Sequence, residues 1–355
     1  MIPLLVLALA GAPSVGHQAQ RGAAQNAAST GVSGLSFTSD FSVAQAEARR
    51  TKRPILSLRL LGDLDDELSC ANSRFFKAFL YTDPAIQKLL RERFVLHWQS
   101  VRPVPKLTID MGDGRVIQTT ITGNSVHVVL DPDGRVLDAI PGMYTPASFA
   151  RALQNAVAVA ACAEESTPAA CVTKHHATLR AGLDDEWRSA MKKLGKNEPP
   201  PAPLGVPLDD SALAISERAM AKAVIERPVL RQLQRAETEV SDPLMRQVAR
   251  DTPRPFLPRG RMQASEEFLR TLEDNVALDS VVNEQRLHRS IHAWLEAEPL
   301  PPAQPFVERV YEFLFATPNT DPWLGLEDVM QGAPIRTFPE QAAAPARRPR
   351  VTGSR

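Results

Sequence analysis

The sequence predicts an α/β fold for the first half of the chain, a mixed sheet flanked by helices, followed by a mainly α-helical region. Residues 54–61 form a nearly continuous apolar run of strand length, as expected for a strand covered on both faces. Apolar residues then recur at helical spacing before a second apolar strand at 94–98. After residue 163 the apolar spacing is helical, and proline interrupts it repeatedly.

Length and charge limit the class of protein. The chain has 355 residues, enough for two modest domains, and it carries 41 basic and 41 acidic side chains. A net charge of zero argues against nucleic acid as the main partner, because phosphate binding requires a basic excess.

The first ten residues are apolar, and Ala8-Leu9-Ala10 places small residues where a signal peptidase cleaves. The sequence therefore predicts a signal peptide over 1–20 and export to the periplasm or the extracellular space. A disordered apolar tail is the alternative, since no Lys or Arg precedes Arg21. Residues 21–35 are predicted to be a disordered tether and residues 331–355 a disordered tail. The sequence contains no predicted transmembrane segment.

The first half alternates between helical and extended patterns. A helix is predicted over 41–52, and the strand 54–61 leads to an acidic loop at 63–67. A further helix is predicted to begin with Pro84 in its first turn and with Asp83 or Thr82 as its N-cap. The later predicted elements are a β-hairpin at 106–122, strands at 126–130 and 135–140 around a tight turn, and a helix capped by Thr145.

The second half is predicted as separate helices with a proline-rich, semi-rigid linker at 199–207. Ser265, followed by two glutamates, is a predicted helix cap. The predicted helices are 171–195, 209–226, 229–250, 265–297 and 303–316.

Three motifs resemble those of exported thioredoxin-like proteins. Lys52-Arg53-Pro54 precedes the apolar strand, Cys70-Ala71-Asn72-Ser73 follows it, and Asp83-Pro84 begins ten residues after Ser73. In that family the corresponding motifs are Lys-Arg-Pro, Cys-x-x-Cys and Asp-Pro. The resemblance covers residues 36–162, and it implies a thioredoxin-like domain with Cys70 as the reactive thiol. The region 163–330 is then a separate helical region.

The chain departs from the family pattern at the site itself. Ser73 replaces the second cysteine, and Ser125 aligns with the cis-proline that faces the cysteine in the family. The acidic loop is an insertion, and the hairpin 106–122 stands where the family has a helix. Together these departures argue strongly against an ordinary dithiol disulfide reductase.

A Cys-x-x-Ser site can still act as a single thiol. A helix N-terminus favours the thiolate, and Asn72 and Ser73 could donate hydrogen bonds to the sulfur. The nearby acidic loop would oppose this. Such a site forms a mixed disulfide with a client protein or a glutathione-like thiol and needs no cofactor. The open alternative is a non-catalytic binding or scaffold module in which Cys70 has lost its redox role.

The remaining cysteines and histidines give weaker signals. In an exported protein Cys162 and Cys171 could form a disulfide that leaves Cys70 free, or both could be reduced. His288 and His292 are four apart with Glu284 one turn earlier, a spacing that can hold zinc.

No further ligand is evident beside that pair, so no metal site is predicted. His175 and His176 are adjacent and should point to different sides of a helix. His97 and His127 lie in predicted strands and are expected to pack in or near the core.

Overall fold

A computed structural model describes residues 30–66, 69, 71–120, 124–205 and 276–322. Its strands are Thr30–Val32 (β1), Leu35–Phe37 (β2), Ile55–Leu61 (β3), Val95–Arg102 (β4), Lys106–Asp110 (β5), Val116–Thr120 (β6), Ser125–Leu130 (β7) and Val136–Pro141 (β8). Its α-helices are Phe41–Thr51 (α1), Ala71–Ala78 (α2), Pro84–Arg93 (α3), Pro146–Ala160 (α4), Pro168–Lys193 (α5), Arg289–Ala297 (α6) and Ala303–Arg309 (α7).

Shorter helical segments complete the description. Single 3-10 turns follow α2 at Leu80–Thr82 and α4 at Ala161–Glu164. Residues 276–282 are helical and run through a π-helical segment, Asn283–His288, directly into α6. A second π-helical segment, Val310–Leu314, continues α7. Among the described residues, no helix has the length and apolar character that crossing a membrane requires.

The predicted mixed sheet is confirmed. Its four strands stand in the order β4-β3-β7-β8, with β4 parallel to β3 and the hairpin β7-β8 antiparallel to it. Every residue of β3, β7 and β8 is buried, because helices cover both faces of the sheet. The register places Ile55 beside Val95 on one side and Leu130 on the other.

The predicted helix caps are also confirmed. The Asp83 carboxylate accepts hydrogen bonds from the backbone N–H groups of Ala85 and Ile86, at 2.8 and 2.9 Å. The Thr145 hydroxyl accepts one from the N–H of Ser148 at 3.3 Å. Each cap precedes a proline in the first turn, where the missing N–H costs nothing. These caps fix where α3 and α4 begin on the sheet.

The tether prediction is wrong for residues 30–35. The structure pairs β1 with β2 in a short antiparallel hairpin, and Val32, Leu35 and Phe37 are buried. Ser33 and Gly34 form the turn with φ values of 49° and 76°, the left-handed geometry that a two-residue hairpin requires. Each strand is only three residues long, too short to show a periodic pattern against the surrounding Gly, Ala and Ser. Residues 1–29, including the predicted signal peptide, lie outside the described residues.

The predicted hairpin at 106–122 is confirmed as β5 and β6, which pair from Lys106–Thr120 to Asp110–Val116. It forms its own two-stranded sheet rather than extending the central one. Each described side chain of β5 is exposed, in contrast to the buried strands of the central sheet.

The helical region joins the sheet in one continuous core instead of forming a separate unit. Side chains of α5, α6 and α7, such as Val172, Ile291 and Phe306, belong to the same buried cluster as the strands. The linker residues 199–205 are held against α6: the indole N–H of Trp294 donates to the Leu204 carbonyl at 2.8 Å. The predicted helices 209–226 and 229–250, the Ser265 cap and the tail 331–355 lie outside the described residues.

A disulfide joins Cys162 in the turn after α4 to Cys171 in α5, with Cα atoms 5.4 Å apart. The double substitution Cys162→Ala and Cys171→Ala is expected to lower the free energy of unfolding by about 2 to 3 kcal/mol, because the bond closes a loop of about ten residues in the unfolded chain. Urea unfolding under non-reducing conditions measures this, with Ser166→Ala in the same loop as control. Equal unfolding midpoints for the double variant and the control would contradict the prediction.

Candidate functional site

A pocket of about 280 Å³ opens beside the first turn of α2. One wall comes from the sheet domain, where Asn72 of α2 approaches the residues that precede β7 and follow β8. The opposite wall comes from the helical region at 276–288 and from the end of the α7 segment. The lining residues are Asn72, Asn124, Gly142, Met143, Asp279, Asn283, Leu287, Leu314 and Phe315.

The predicted thiol motif lies at this pocket in part. Helix α2 begins at Ala71, directly after Cys70 in sequence, whereas Cys70 itself lies outside the described residues. Asn72 is buried and lines the pocket. Ser73 is fully buried, and its hydroxyl donates to the hydroxyl of Ser69 at 2.6 Å. The buried first turn of α2 therefore carries two polar side chains of the motif.

Ser125 begins β7 next to the pocket residue Asn124. Its carbonyl accepts a hydrogen bond from the N–H of Gly142 at 2.9 Å, which ties the start of β7 to the end of β8. Its buried hydroxyl has no hydrogen-bond partner within the described ranges. The peptide bonds described here contain no cis bond, so the backbone at this point differs from the cis-proline of the thioredoxin-like pattern.

The acidic loop is held by contacts on the side of β1, α2 and β5. The Lys77 ammonium donates to the Leu64 carbonyl at 2.9 Å, and the Asp66 carboxylate pairs with Lys106 at 3.2 Å. The Thr30 hydroxyl donates to the Asp65 carboxylate at 3.1 Å. These contacts offset part of the loop's negative charge, which the sequence predicted would oppose a thiolate.

The helical wall of the pocket fits closely against Gly142. The side-chain amide of Asn283 donates to the Met143 carbonyl at 2.7 Å. Gly142 has φ of +84°, and a Cβ atom there would lie only 2.6 Å from Nδ2 of Asn283. Burial raises the pKa of the Asp279 carboxyl, which lines the same wall. The pocket thus presents amides and a carboxyl group, a lining suited to a small polar ligand.

A second polar cluster is buried where the helical region meets β8. It consists of Asp138, His176, His288 and His292, all less than 5% exposed. Nε2 of His288 lies 3.1 Å from Oδ1 of Asp138, and Nδ1 of His176 lies 3.0 Å from Nδ1 of His292. Nε2 of His176 also lies 2.9 Å from the Leu137 carbonyl, so this nitrogen is the donor.

Electrostatics in this cluster favour an ionised carboxylate at Asp138 and neutral imidazoles at His176 and His292. Burial alone would raise the pKa of Asp138, but the charge and hydrogen bond of His288 outweigh it and hold that pKa well below its usual range. Burial lowers the pKa of His176 and, together with repulsion from His288, lowers that of His292.

The sequence had indicated only part of this cluster. Four-residue spacing pairs His288 with His292, whereas the sequence places Asp138 in a strand and His176 in a helix and gives no link between these residues and the pair. The available signal was a single carboxylate in the otherwise apolar run Val136–Pro141. Glu284, the predicted neighbour, instead pairs with Arg151 at 2.8 Å.

His97 and His127 pack in the core of the sheet, as predicted. Nδ1 of His97 lies 2.7 Å from the Ser57 hydroxyl, and Nε2 of His127 lies 2.7 Å from the Tyr81 hydroxyl. Both imidazole rings are buried and each is hydrogen-bonded to a hydroxyl group, so we assign them a structural role.

Scans against protein-family models, curated proteins and solved structures found no match to this chain.

Proposed function

We propose that this chain is an exported thioredoxin-like protein in which Cys70, as a single reactive thiol, carries out thiol–disulfide exchange with small disulfides. The observation that carries the proposal is the polar pocket beside the first turn of α2, between Asn72 and Asn124. In a thioredoxin-like fold, the space between that turn and the segment entering β7 is where a substrate disulfide lies.

The topology supports the thioredoxin-like part of the proposal. A β3-helix-β4 unit with parallel strands is followed by the antiparallel hairpin β7-β8 and the closing helix α4. This is the order of elements that the resemblance implies. The hairpin β5-β6, which stands where the family has a helix, forms its own sheet and leaves the four-stranded sheet intact.

The chemistry uses one thiol and balances without a cofactor. The Cys70 thiolate attacks one sulfur of a low-molecular-weight disulfide, forms a mixed disulfide and releases one thiolate of the substrate. A second small thiolate then attacks the substrate sulfur of the mixed disulfide, which forms a new small disulfide and restores the Cys70 thiolate. Ser73 cannot resolve the intermediate, so the second thiol must come from solution.

The shape of the pocket favours a small substrate over a folded client. Asp279, Asn283 and Leu287 of the helical region line the same pocket as Asn72 of α2. We infer that these side chains would hinder a folded client from docking at the first turn of α2. Export is supported by the disulfide between Cys162 and Cys171, since such bonds persist in oxidising compartments.

The second candidate is a non-catalytic binding module that uses the same pocket. The trans backbone at Ser125 favours this candidate, because it departs from the cis-proline that presents substrate backbone in the redox family. The pocket would then bind a small polar ligand without any reaction at Cys70.

Incubation of the folded, full-length chain with oxidised glutathione separates the two candidates. We expect one glutathione adduct by intact-mass spectrometry, its loss in Cys70→Ser, and its retention in the control Ser42→Ala on the exposed end of α1. A disulfide-linked peptide attached to a folded carrier should react at least tenfold more slowly. Absence of an adduct on the wild-type chain would support the binding module, and equal rates for both disulfides would contradict the small-substrate assignment.

A further inference from the structure

We propose that Asp138, His176, His288 and His292 form a buried structural site for one Zn²⁺ ion. The proposal is independent of the thiol chemistry at Cys70. It concerns a different part of the molecule, where β8, α5 and α6 meet.

The donor atoms are already spaced as neighbouring ligands. In a tetrahedral zinc site each nitrogen or oxygen lies about 2.0 to 2.2 Å from the ion, which places two neighbouring donors roughly 3.3 Å apart. Here Nδ1 of His176 and Nδ1 of His292 are 3.0 Å apart, and Nε2 of His288 and Oδ1 of Asp138 are 3.1 Å apart. One donor atom each from Asp138, His288 and His292 lie mutually within 4.8 Å. Closing separations of up to 4.8 Å to about 3.3 Å would bring these three donors around one ion, and His176, in contact with His292, is the fourth ligand of the proposed site.

The surroundings of His176 orient it as a ligand. Its Nε2–H donates to the Leu137 carbonyl, which leaves the lone pair of Nδ1 directed at His292. Zinc-binding histidines usually make this kind of second hydrogen bond to a carbonyl or carboxylate, and it fixes both the tautomer and the orientation of the ring.

An unpartnered oxygen supplies an independent observation. Asp138 is fully buried, and its Oδ2 has no hydrogen-bond partner within the described part of the chain. A buried carboxylate oxygen without a partner is costly. A cation held between this carboxylate and the imidazoles would offset that cost.

The ligand set selects the type of cation. Calcium and magnesium prefer shells made of oxygen, whereas three imidazoles and one carboxylate suit zinc. Four protein ligands in a buried position leave no place for a substrate, which is typical of a structural site. Because the ligands come from β8, α5 and the helix that continues through α6, the ion would clamp the helical region onto the sheet.

Zinc binding to the metal-depleted full-length chain tests this proposal. Titration calorimetry should give one Zn²⁺ per chain, and Co²⁺ should produce the visible absorption of a tetrahedral cobalt centre. Asp138→Asn, nearly isosteric, should weaken zinc binding at least tenfold and remove the rise in Tm that zinc causes in the wild-type chain.

His97→Gln is the matched control, because His97 is also buried but lies on β4 at the opposite edge of the sheet. It should retain full zinc affinity and the Tm rise. His176→Gln provides a second ligand variant if Asp138→Asn fails to fold. The proposal is overturned if the folded wild-type chain binds no zinc, or if a folded ligand variant binds zinc as tightly as His97→Gln; either result would leave the cluster as a hydrogen-bonded core network.

Discussion

Lowering the pH from 7 to 4 is expected to reduce the free energy of unfolding by up to about 3 kcal/mol for each of His97 and His127. A difference of one unit between the folded and unfolded pKa of a group corresponds to about 1.4 kcal/mol. Burial, followed by the Arg59 charge, lowers the pKa of His97 from 6.5 to about 4. Burial lowers that of His127 to about 3. Each folded pKa lies below the unfolded value. At pH values between the folded and the unfolded pKa, the unfolded chain therefore binds more protons than the folded chain.

The stability is therefore fully present above pH 6.5 and is lost as the pH falls toward the folded pKa values. Urea unfolding at several pH values between 7 and 4 measures the slope. His127→Gln should reduce this slope by the share of His127 and leave the share of His97, even though the variant loses the contact with Tyr81. Phe149→Leu, which alters a ring 4.9 Å from His127, should lower stability and keep the slope. The same slope in His127→Gln and wild type would contradict this assignment.

Phe76→Ala is expected to lower the free energy of unfolding by about 3 to 5 kcal/mol. Phe76 is fully buried on the sheet-facing side of α2, and its ring centroid lies 4.7 Å from that of His127 and 5.9 Å from that of Tyr81. Truncation leaves a cavity that the sheet cannot close, because its strands are packed on both faces.

Chemical denaturation measures the loss, and Val43→Ala on the exposed face of α1 is the control, expected within about 0.5 kcal/mol of wild type. A loss below about 1 kcal/mol in Phe76→Ala would show that α2 is not anchored through this ring. Because α2 carries Asn72 and Ser73, the variant should also reduce the reactivity of Cys70 under folding conditions.

The central sheet was predictable because its signals are local. The run from Ile55 to Leu61 reads as a strand buried on both faces, and Asp83 and Thr145 are cap residues followed by proline. Short strands are harder to detect. The hairpin formed by β1 and β2 was missed because three-residue strands are too brief for periodicity to stand out.

The site was predictable only in its sequence-local part. Cys70, Asn72 and Ser73 form a motif that can be recognised in the chain, and Ser125 followed from alignment of one strand. The wall formed by Asp279 and the residues after it depends on packing between segments more than 100 residues apart in sequence, which no local pattern encodes.

The buried cluster illustrates the same limit. Helical spacing pairs His288 with His292, but only the fold brings Asp138, 150 positions from His288, to within hydrogen-bond distance. A lone carboxylate in an apolar strand indicates a buried partner without identifying it. Long-range pairing of polar groups is therefore set by the fold and is not encoded in any local sequence pattern.

The pH dependence of alkylation at Cys70 tests the central proposal most directly. Since Cys162 and Cys171 are joined in a disulfide, alkylation of the folded chain by iodoacetamide reports Cys70 alone. A thiol positioned for exchange at the start of α2 should titrate below the free-cysteine pKa of about 8.5 and react only in the wild-type chain, not in Cys70→Ser. A thiol pKa at or above about 8.5 would contradict the monothiol exchange proposed for this protein.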